Sequence, residues 1–362
     1  MSLDRLTLTH FRNHRETRLE GTARFNLLVG ENGAGKTNVL EAISLFAPGR
    51  GLRRAALPDM AAKQASGGFA VSGEILEGAV RLGTGTEAAK PTRRLVQVNG
   101  ADTAANALSE WLAISWLTPA MDRLFAEGPG ARRRWLDRLV LALEPGHARN
   151  SARFDNALRE RNRLLAEPVE PEAAWFAALE VQIAEAGALI AQARERLVAQ
   201  LSAALASLPD APPDAPFARP ALLYAAGGPT DAAQLAQALA DHRRRDRAAQ
   251  RSLIGPHRDE LVVTMAGKDQ AAAECSTGEQ KAMLIALTLA HAGLLPRERP
   301  GLLLLDEVAA HLDPLRRDAL FARLRDSGAQ VWLTGTELAP FAAITSEAAV
   351  WRVQDGAVER LS

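Results

Sequence analysis

The sequence predicts an α/β protein: a mixed central sheet flanked by helices, interrupted by a second, helical domain that carries a short helical hairpin. Three observations predict it. The apolar run Phe25–Val29 has strand length, enters a glycine-rich turn and continues as the helix-like run Asn38–Leu45. A second apolar run, Gly301–Leu305, ends in the acids Asp306 and Glu307. Between them, from about residue 131 to 206, apolar residues recur at one-turn spacing, as in helices.

The elements follow in order. Leu3–His10 and Phe25–Val29 are apolar stretches of strand length. Phe69–Ile75 and Gly78–Leu82 alternate apolar with other residues, and Leu95–Val98 runs into Asn99-Gly100, a hairpin turn signal. Ile114–Leu117 is a further short strand, closed by Thr118-Pro119. Trp135, Leu139 and Leu143 then share one helix face, as do Phe154 and Leu158. Pro168 and Pro171 break the helical run, because proline lacks the N–H and clashes with the preceding turn. A longer helix follows, with Trp175, Leu179, Ile183, Ile190, Leu197 and Leu201 near one stripe. Trp135 and Trp175 are expected in the core. Pro209–Pro220 reads as an ordered loop or linker. Ala232–Arg251 is a further helix, ending in the arginine-rich run His242–Arg247. The expected organisation is a head over 1–120, a helical arm over 121–250, and the head again over 251–362.

Composition bounds the function. The chain has 362 residues, 47% hydrophobic and 24% charged, as expected of a soluble globular protein. Lys+Arg and Asp+Glu are both 43, so a uniformly basic surface is excluded and any nucleic-acid surface must be a local patch. The single cysteine, Cys275, excludes an intrachain disulfide. The first residues lack a basic-then-apolar signal pattern, and no uninterrupted apolar run is long enough to span a bilayer. The expected location is cytoplasmic, with no membrane partner.

Gly30-Glu31-Asn32-Gly33-Ala34-Gly35-Lys36-Thr37 matches G-x-x-x-x-G-K-[ST], between a strand and a helix as that motif requires. Glycines let backbone N–H groups close around phosphate oxygens, and the helix N-terminus adds donors and a favourable dipole. Lys36 would face the β- and γ-phosphates, and the Thr37 hydroxyl would ligate Mg²⁺. Asp306 would complete the Mg²⁺ site, and Glu307 would orient or deprotonate the attacking water. The expected cofactors are ATP and Mg²⁺, with Lys36 and Glu307 as the catalytic pair.

Ser276-Thr277-Gly278-Glu279-Gln280 lies before the acidic strand and opens an apolar helix-like run. Alone, this pentapeptide is explained by Ser276 capping a helix with Glu279 in its first turn. In the order phosphate loop, long insertion, S-x-G-E-Q, acidic strand, it has the layout of ABC-type ATPases. There Ser276 and Gly278 would contact the γ-phosphate held by a second subunit. His311-Leu312-Asp313 stands at that class's D-loop, so Asp313 joins this trans set. Gln330–Thr336 reads as a final strand and switch. It carries no histidine, so Thr334 or Thr336 would have to sense the γ-phosphate.

The chain resembles the RecF family. The resemblance rests on Leu6–His14, on Gly30–Ile43, and on Leu117-Thr118-Pro119 with Glu127-Gly128-Pro129 and Arg132–Asp137. Gly255-Pro256-His257-Arg258-Asp259-Glu260-Leu261 looks like a further hallmark. These segments run from the N-terminus to the switch. The resemblance implies an ABC-type head with a helical second domain, weak DNA-stimulated ATP hydrolysis, an ATP-dependent homodimer and binding of double-stranded and gapped DNA. It also implies loading of RecA with RecR and RecO in recombinational repair. Glu307 stands where the family often has a second aspartate, and Ala310-His311 replaces its Ser-Glu before the D-loop. No glutamine lies in 114–122, so a further Mg²⁺ ligand is unassigned.

Several readings stay open at this level. Arg12 is either a nucleotide contact or an exposed strand-end charge. Arg132, Arg133 and Arg134 either bind DNA phosphates or lie on a solvated helix face, and the same holds for Arg243–Arg247. Gly255–Asp259 is either a functional hallmark or only a turn with an Arg–Asp pair that joins the arm back to the head. An ATPase subunit of a membrane transporter and a P-loop kinase or metabolic enzyme are the competing classes. The pentapeptide argues against the latter. The absent switch histidine and the helical hairpin argue against the former.

Overall fold

The computed structural model describes residues 2–63, 67–169, 171–207 and 218–362. They form two compact units. The first takes the described residues up to Asp122 and from Leu287 onward; the second takes those from Arg123 to Ala286.

The first unit opens with β1 (Leu3–Phe11), β2 (His14–Glu20), β3 (Phe25–Val29) and α1 (Lys36–Ser44). β4 (Phe69–Ile75), β5 (Val80–Glu87), β6 (Lys90–Val98), β7 (Ala101–Asp102) and β8 (Ala113–Leu117) follow. In the second unit, α2 (Pro129–Leu143), α3 (His147–Ala166) and α4 (Ala173–Ala206) precede β9 (Pro220–Ala225), α5 (Ala232–Ala249), β10 (Glu260–Met265) and β11 (Gln270–Ala271). α6 (Thr277–Gly293) begins in the second unit and ends in the first. The first unit then closes with β12 (Gly301–Leu305), α7 (Pro314–Asp326), β13 (Gln330–Gly335), β14 (Ala348–Gln354) and β15 (Ala357–Arg360).

Two six-stranded sheets build the first unit. One is antiparallel, in the order β2-β1-β4-β5-β6-β7. The other runs β15-β14-β3-β13-β12-β8, and all but the β14–β15 pair are parallel. In this second sheet every residue of β3, β8 and β13 is buried, and Leu302–Leu305 are at most 1% exposed. Continuous apolar strands are what a sheet covered on both faces requires. Val39, Leu40, Ala42 and Ile43 of α1 share one core with Leu6 and Leu8 of β1, Leu28 of β3 and Trp332 of β13. The helix after the phosphate loop is therefore held from both sides. β13 is not the last strand, as the sequence suggested: β14 and β15 follow, and β14 pairs with β3.

In the second unit, α3 and α4 form the expected hairpin, and Phe154, Ile183, Ala186 and Ile190 pack with Leu235 and Leu239 of α5. Among the described residues, α4 is the one helix long and apolar enough to cross a bilayer by length and composition; charged residues interrupt it, and its apolar face packs into this core. Trp135 is buried as expected, but Trp175 is 62% exposed. It sits in the first turn of α4, where the buried position is the neighbouring Phe176. The expected linker Pro209–Pro220 lies almost wholly outside the described residues; its last residue opens β9. The second unit also keeps residues 251–286, which the sequence reading gave to the head. The reason is pairing: β10 joins β9 and β11 in one three-stranded sheet.

Buried charges tie this unit together. Arg161, fully buried, donates to Asp246 (2.6 Å), Glu180 (3.2 Å), the Ser252 hydroxyl (2.7 Å) and the Leu239 carbonyl (2.9 Å). Arg194 bridges Asp137 (2.8 Å) and Asp259 (2.7 Å). The Arg–Asp pair of the Gly255–Asp259 turn is therefore made with Arg194, not with Arg258. Burial pushes the Asp137 carboxyl up, but His147 and Arg194 outweigh it and bring it down to about 2 from 3.8. The carboxylate thus stabilises the fold above pH 3.8, and that stability is lost as pH falls through about 2. Asp137→Asn is expected to lower unfolding free energy by about 2 kcal/mol at pH 7, with a smaller deficit near pH 3. Urea unfolding at both pH values checks this; an equal deficit at both would refute it.

Candidate nucleotide site

The loop Gly30–Thr37 joins the buried end of β3 to α1. Its backbone explains its glycines at two points. A Cβ on Gly30 would lie 2.1 Å from the Val353 carbonyl oxygen. Gly35 has φ 114°, and a Cβ there would lie 2.7–2.9 Å from the side chains of Asn13 and His14. Gly35 is the N-cap of α1, whose first turn holds no acidic residue. Such a helix end offers backbone amides and a positive dipole, the features of an anion site.

Lys36 folds back over this loop. Its ammonium donates to the carbonyls of Gly30 (2.6 Å) and Glu31 (2.8 Å), and the residue is 3% exposed. Burial lowers its pKa, and the nearby charges of Glu307 and Asp306 act in the opposite sense.

The acidic strand end lies beside it because β12 pairs with β13, and β13 with β3. Two hydroxyls donate to the same oxygen of Asp306: Thr37 from α1 at 2.8 Å and Thr334 from β13 at 2.8 Å. The Thr334 hydroxyl also accepts the Glu307 N–H at 2.9 Å. Glu307 has φ 53°, a left-handed conformation that a non-glycine residue holds only under constraint from its surroundings. Thr37, Asp306, Glu307 and Thr334 therefore form one constellation against Lys36. Thr336 lies exposed beyond the strand end.

Arg12 does not point freely outward. It donates two bonds to the buried carboxylate of Glu41 (2.8 and 2.7 Å) and one to the Asp59 carbonyl (2.7 Å). Arg53 holds the same carboxylate at 2.9 Å. In this structure Arg12 braces α1 from the β1–β2 turn.

Ser276 and Gly278 are exposed. Ser276 forms a reciprocal cap with Glu279: its N–H and hydroxyl each donate to that carboxylate at 2.9 Å, and its oxygen accepts the Glu279 N–H at 3.3 Å. Lys268 and these two bonds pull the Glu279 carboxyl down to about 2. Asp313 caps α7 by accepting the Arg316 N–H at 2.9 Å. Cys275, beside Ser276, is buried against the Ala271 carbonyl, and burial pushes its thiol up.

The arginine run on α2 is largely engaged within the second unit. Arg132 pairs with Glu260 at 2.7 and 3.0 Å and donates to two carbonyls; Arg133 donates to the Asp259 carbonyl at 2.8 Å. Only Arg134 of the three is exposed. On α5, Arg243 is paired with Glu180 and Asp246 is fully buried, leaving Arg244 and Arg245 as the exposed members of that run.

Sequence reasoning missed Asn13 and His14 as neighbours of the phosphate loop, and it missed the β14–β15 turn behind that loop. The Gly356 N–H of this turn donates to the Ala34 carbonyl at 2.9 Å. Asp355-Gly356, with φ 49° and 81°, was the available signal: it is a hairpin dipeptide in a left-handed turn.

The chain is similar over nearly its whole length to known proteins. The model of the RecF/RecN/SMC N terminal domain matches residues 2–358. The chain is 45% identical over 370 residues to a DNA replication and repair protein RecF of Mesorhizobium japonicum, covering 98% of this chain and 97% of that one. It is 42% identical to the RecF of Rhizobium etli, with 99% and 98% covered. It is 44% identical to that of Caulobacter vibrioides, with 98% and 97% covered. Among solved structures, the fold is similar to a recombination mediator protein RecF with ATP (TM-score 0.82, 23% identity, 100% and 98% covered). It is less similar to an SMC head bound to the C-winged helix domain of ScpA (TM-score 0.54, 18% identity, 100% and 97% covered). On the family model and on identities of 42–45% over nearly its whole length, the chain belongs to the RecF family of DNA replication and repair proteins.

Proposed function

We propose that the protein is an ATP-dependent DNA-binding ATPase of recombinational repair, a clamp that closes as a homodimer around ATP on duplex or gapped DNA. One observation carries the nucleotide part: Lys36, Thr37, Asp306, Glu307 and Thr334 converge at the N-terminus of α1. A hydroxyl and a carboxylate in contact are hard oxygen donors that suit Mg²⁺, so Thr37 and Asp306 would hold it. Bound there, the ion would neutralise phosphate charge. Thr334, bonded to Asp306 and to the Glu307 amide, would be the switch rather than Thr336. Ser276, Gly278 and Asp313 would meet the nucleotide of the second subunit; the exposure of Ser276 and Gly278 supports this. RecR, RecO and RecA are the partners implied by the family, and slow hydrolysis would reset the clamp.

The DNA surface follows from charge. Net charge is zero, so one subunit should hold DNA weakly. Two subunits joined around ATP would double any local arginine patch and fix its geometry. With Arg132 and Arg133 engaged, Arg134, Arg244 and Arg245 are the exposed candidates of the two runs. Fluorescence anisotropy with duplex and gapped DNA, at several salt concentrations, tests the clamp. Binding is expected to be tightest with ATP, weaker with ADP or no nucleotide, and to fall steeply with salt. Equal affinity in all three nucleotide states would refute it.

A further inference from the structure

The turn between β1 and β2 lies against the phosphate loop, and its Arg12 and Asn13, with His14 at the start of β2, reach across. Arg12 holds Glu41 of α1. Asn13 donates from Nδ2 to the Ala34 carbonyl at 2.9 Å and accepts from Asn38 at 2.7 Å. His14, fully buried, meets the Gly35 carbonyl through Nε2 at 3.1 Å and the Thr17 hydroxyl through Nδ1 at 3.0 Å.

A trans peptide points its carbonyl and the following N–H to opposite sides. Fixing the Ala34 carbonyl therefore fixes the Gly35 N–H, and fixing the Gly35 carbonyl fixes the Lys36 N–H. Ala34 is held by Asn13 and by the Gly356 N–H (2.9 Å). Gly35 is held by His14 and by the amides of Asn38 (3.0 Å) and Val39 (3.3 Å) in the first turn of α1. A glycine-rich loop has more backbone freedom than any other sequence, so its amides reach one orientation only if something outside it imposes that orientation.

The tautomer follows from the partners. A carbonyl only accepts, so Nε2 of His14 carries the proton. Burial lowers the pKa of the ring, which leaves Nδ1 as an acceptor for the Thr17 hydroxyl. That hydroxyl is also 3.0 Å from the Gly356 carbonyl, so its single proton is shared between two acceptors.

We propose that His14 is a positioning residue of the nucleotide site, whose Nε2–H holds the Gly35 carbonyl so that the Lys36 amide is preset to receive a phosphate oxygen. It does not touch nucleotide itself. The inference rests on ATP binding at Gly30–Thr37.

The test compares His14→Phe, which keeps a ring but no donor, with His14→Gln, which restores an amide donor. ATP affinity is read by titration with a fluorescent nucleotide, steady-state kinetics by phosphate release, and folding by thermal unfolding without nucleotide. His14→Phe is expected to bind ATP about tenfold more weakly, the scale of one hydrogen bond, with KM raised more than kcat is lowered. His14→Gln is expected to recover most of that loss. Thr17→Val, which removes the partner of Nδ1 and lets the ring turn, should weaken ATP binding in the same direction by less. Wild-type affinity in His14→Phe, or equal loss in the Phe and Gln variants, would overturn the proposal. If His14→Phe melts before assay, Thr17→Val decides, and unchanged affinity there overturns it. A wild-type protein that binds no ATP would instead sink the nucleotide-site reading on which the proposal stands.

Discussion

Lys36→Ala is expected to weaken ATP binding by on the order of a hundredfold or more, because charge-assisted hydrogen bonds contribute about 1.5–3 kcal/mol each and Lys36 would make one to each of two phosphates. The ammonium is already placed for this. It bridges the Gly30 and Glu31 carbonyls in a buried position, and Asp306 and Glu307 favour its charged form. Without it, only a Mg²⁺ held by Thr37 and Asp306 would stand between those two acids and the phosphates. Lys36→Arg should not rescue, since a planar fork cannot take the place of a compact ammonium between two carbonyls. Calorimetric titration with ATP checks this. Wild-type affinity in Lys36→Ala would remove the site assignment altogether.

Glu307→Gln is expected to keep ATP affinity and to lower turnover by about 10²–10⁴-fold, the range for loss of a general base. The substitution preserves shape, and the backbone that aims the side chain is held independently: the Glu307 N–H donates to Thr334 and φ is 53°. The variant should therefore accumulate as an ATP-bound dimer, seen as a doubling of mass by light scattering with ATP and Mg²⁺. Turnover at the wild-type rate would show that another group activates the water.

What could be read from the sequence was local. The phosphate loop and the strand Gly301–Leu305 declare themselves within a dozen residues, the helical hairpin by its periodicity and its proline break, and each forms as read. β2 did not, because two of its buried positions, His14 and Thr17, are polar and give no apolar alternation. The pairing within the arginine runs was hidden for a different reason. Arg132 finds Glu260, 128 residues away, and no local pattern signals such a partner. Thr334 was identified as a candidate from its place after a strand. Its bonds to Asp306 and Glu307 required the neighbouring registers of β12 and β13. Asn13 and His14 were legible as letters but not as neighbours of Gly35, since that contact depends on where β1 turns.

The strand order of the parallel sheet has a consequence for synthesis. β3 carries the phosphate loop, yet its two neighbours are β13 and β14, which begin at Gln330 and Ala348. On the ribosome, β3 emerges early and stays without a neighbouring strand until β13 and β14 are made. Contacts of such long sequence separation form late and slowly. A nascent or prematurely terminated chain ending before β13 thus has the loop's residues but no sheet to hold them. A sheet around the loop therefore waits for the synthesis of β13 and β14.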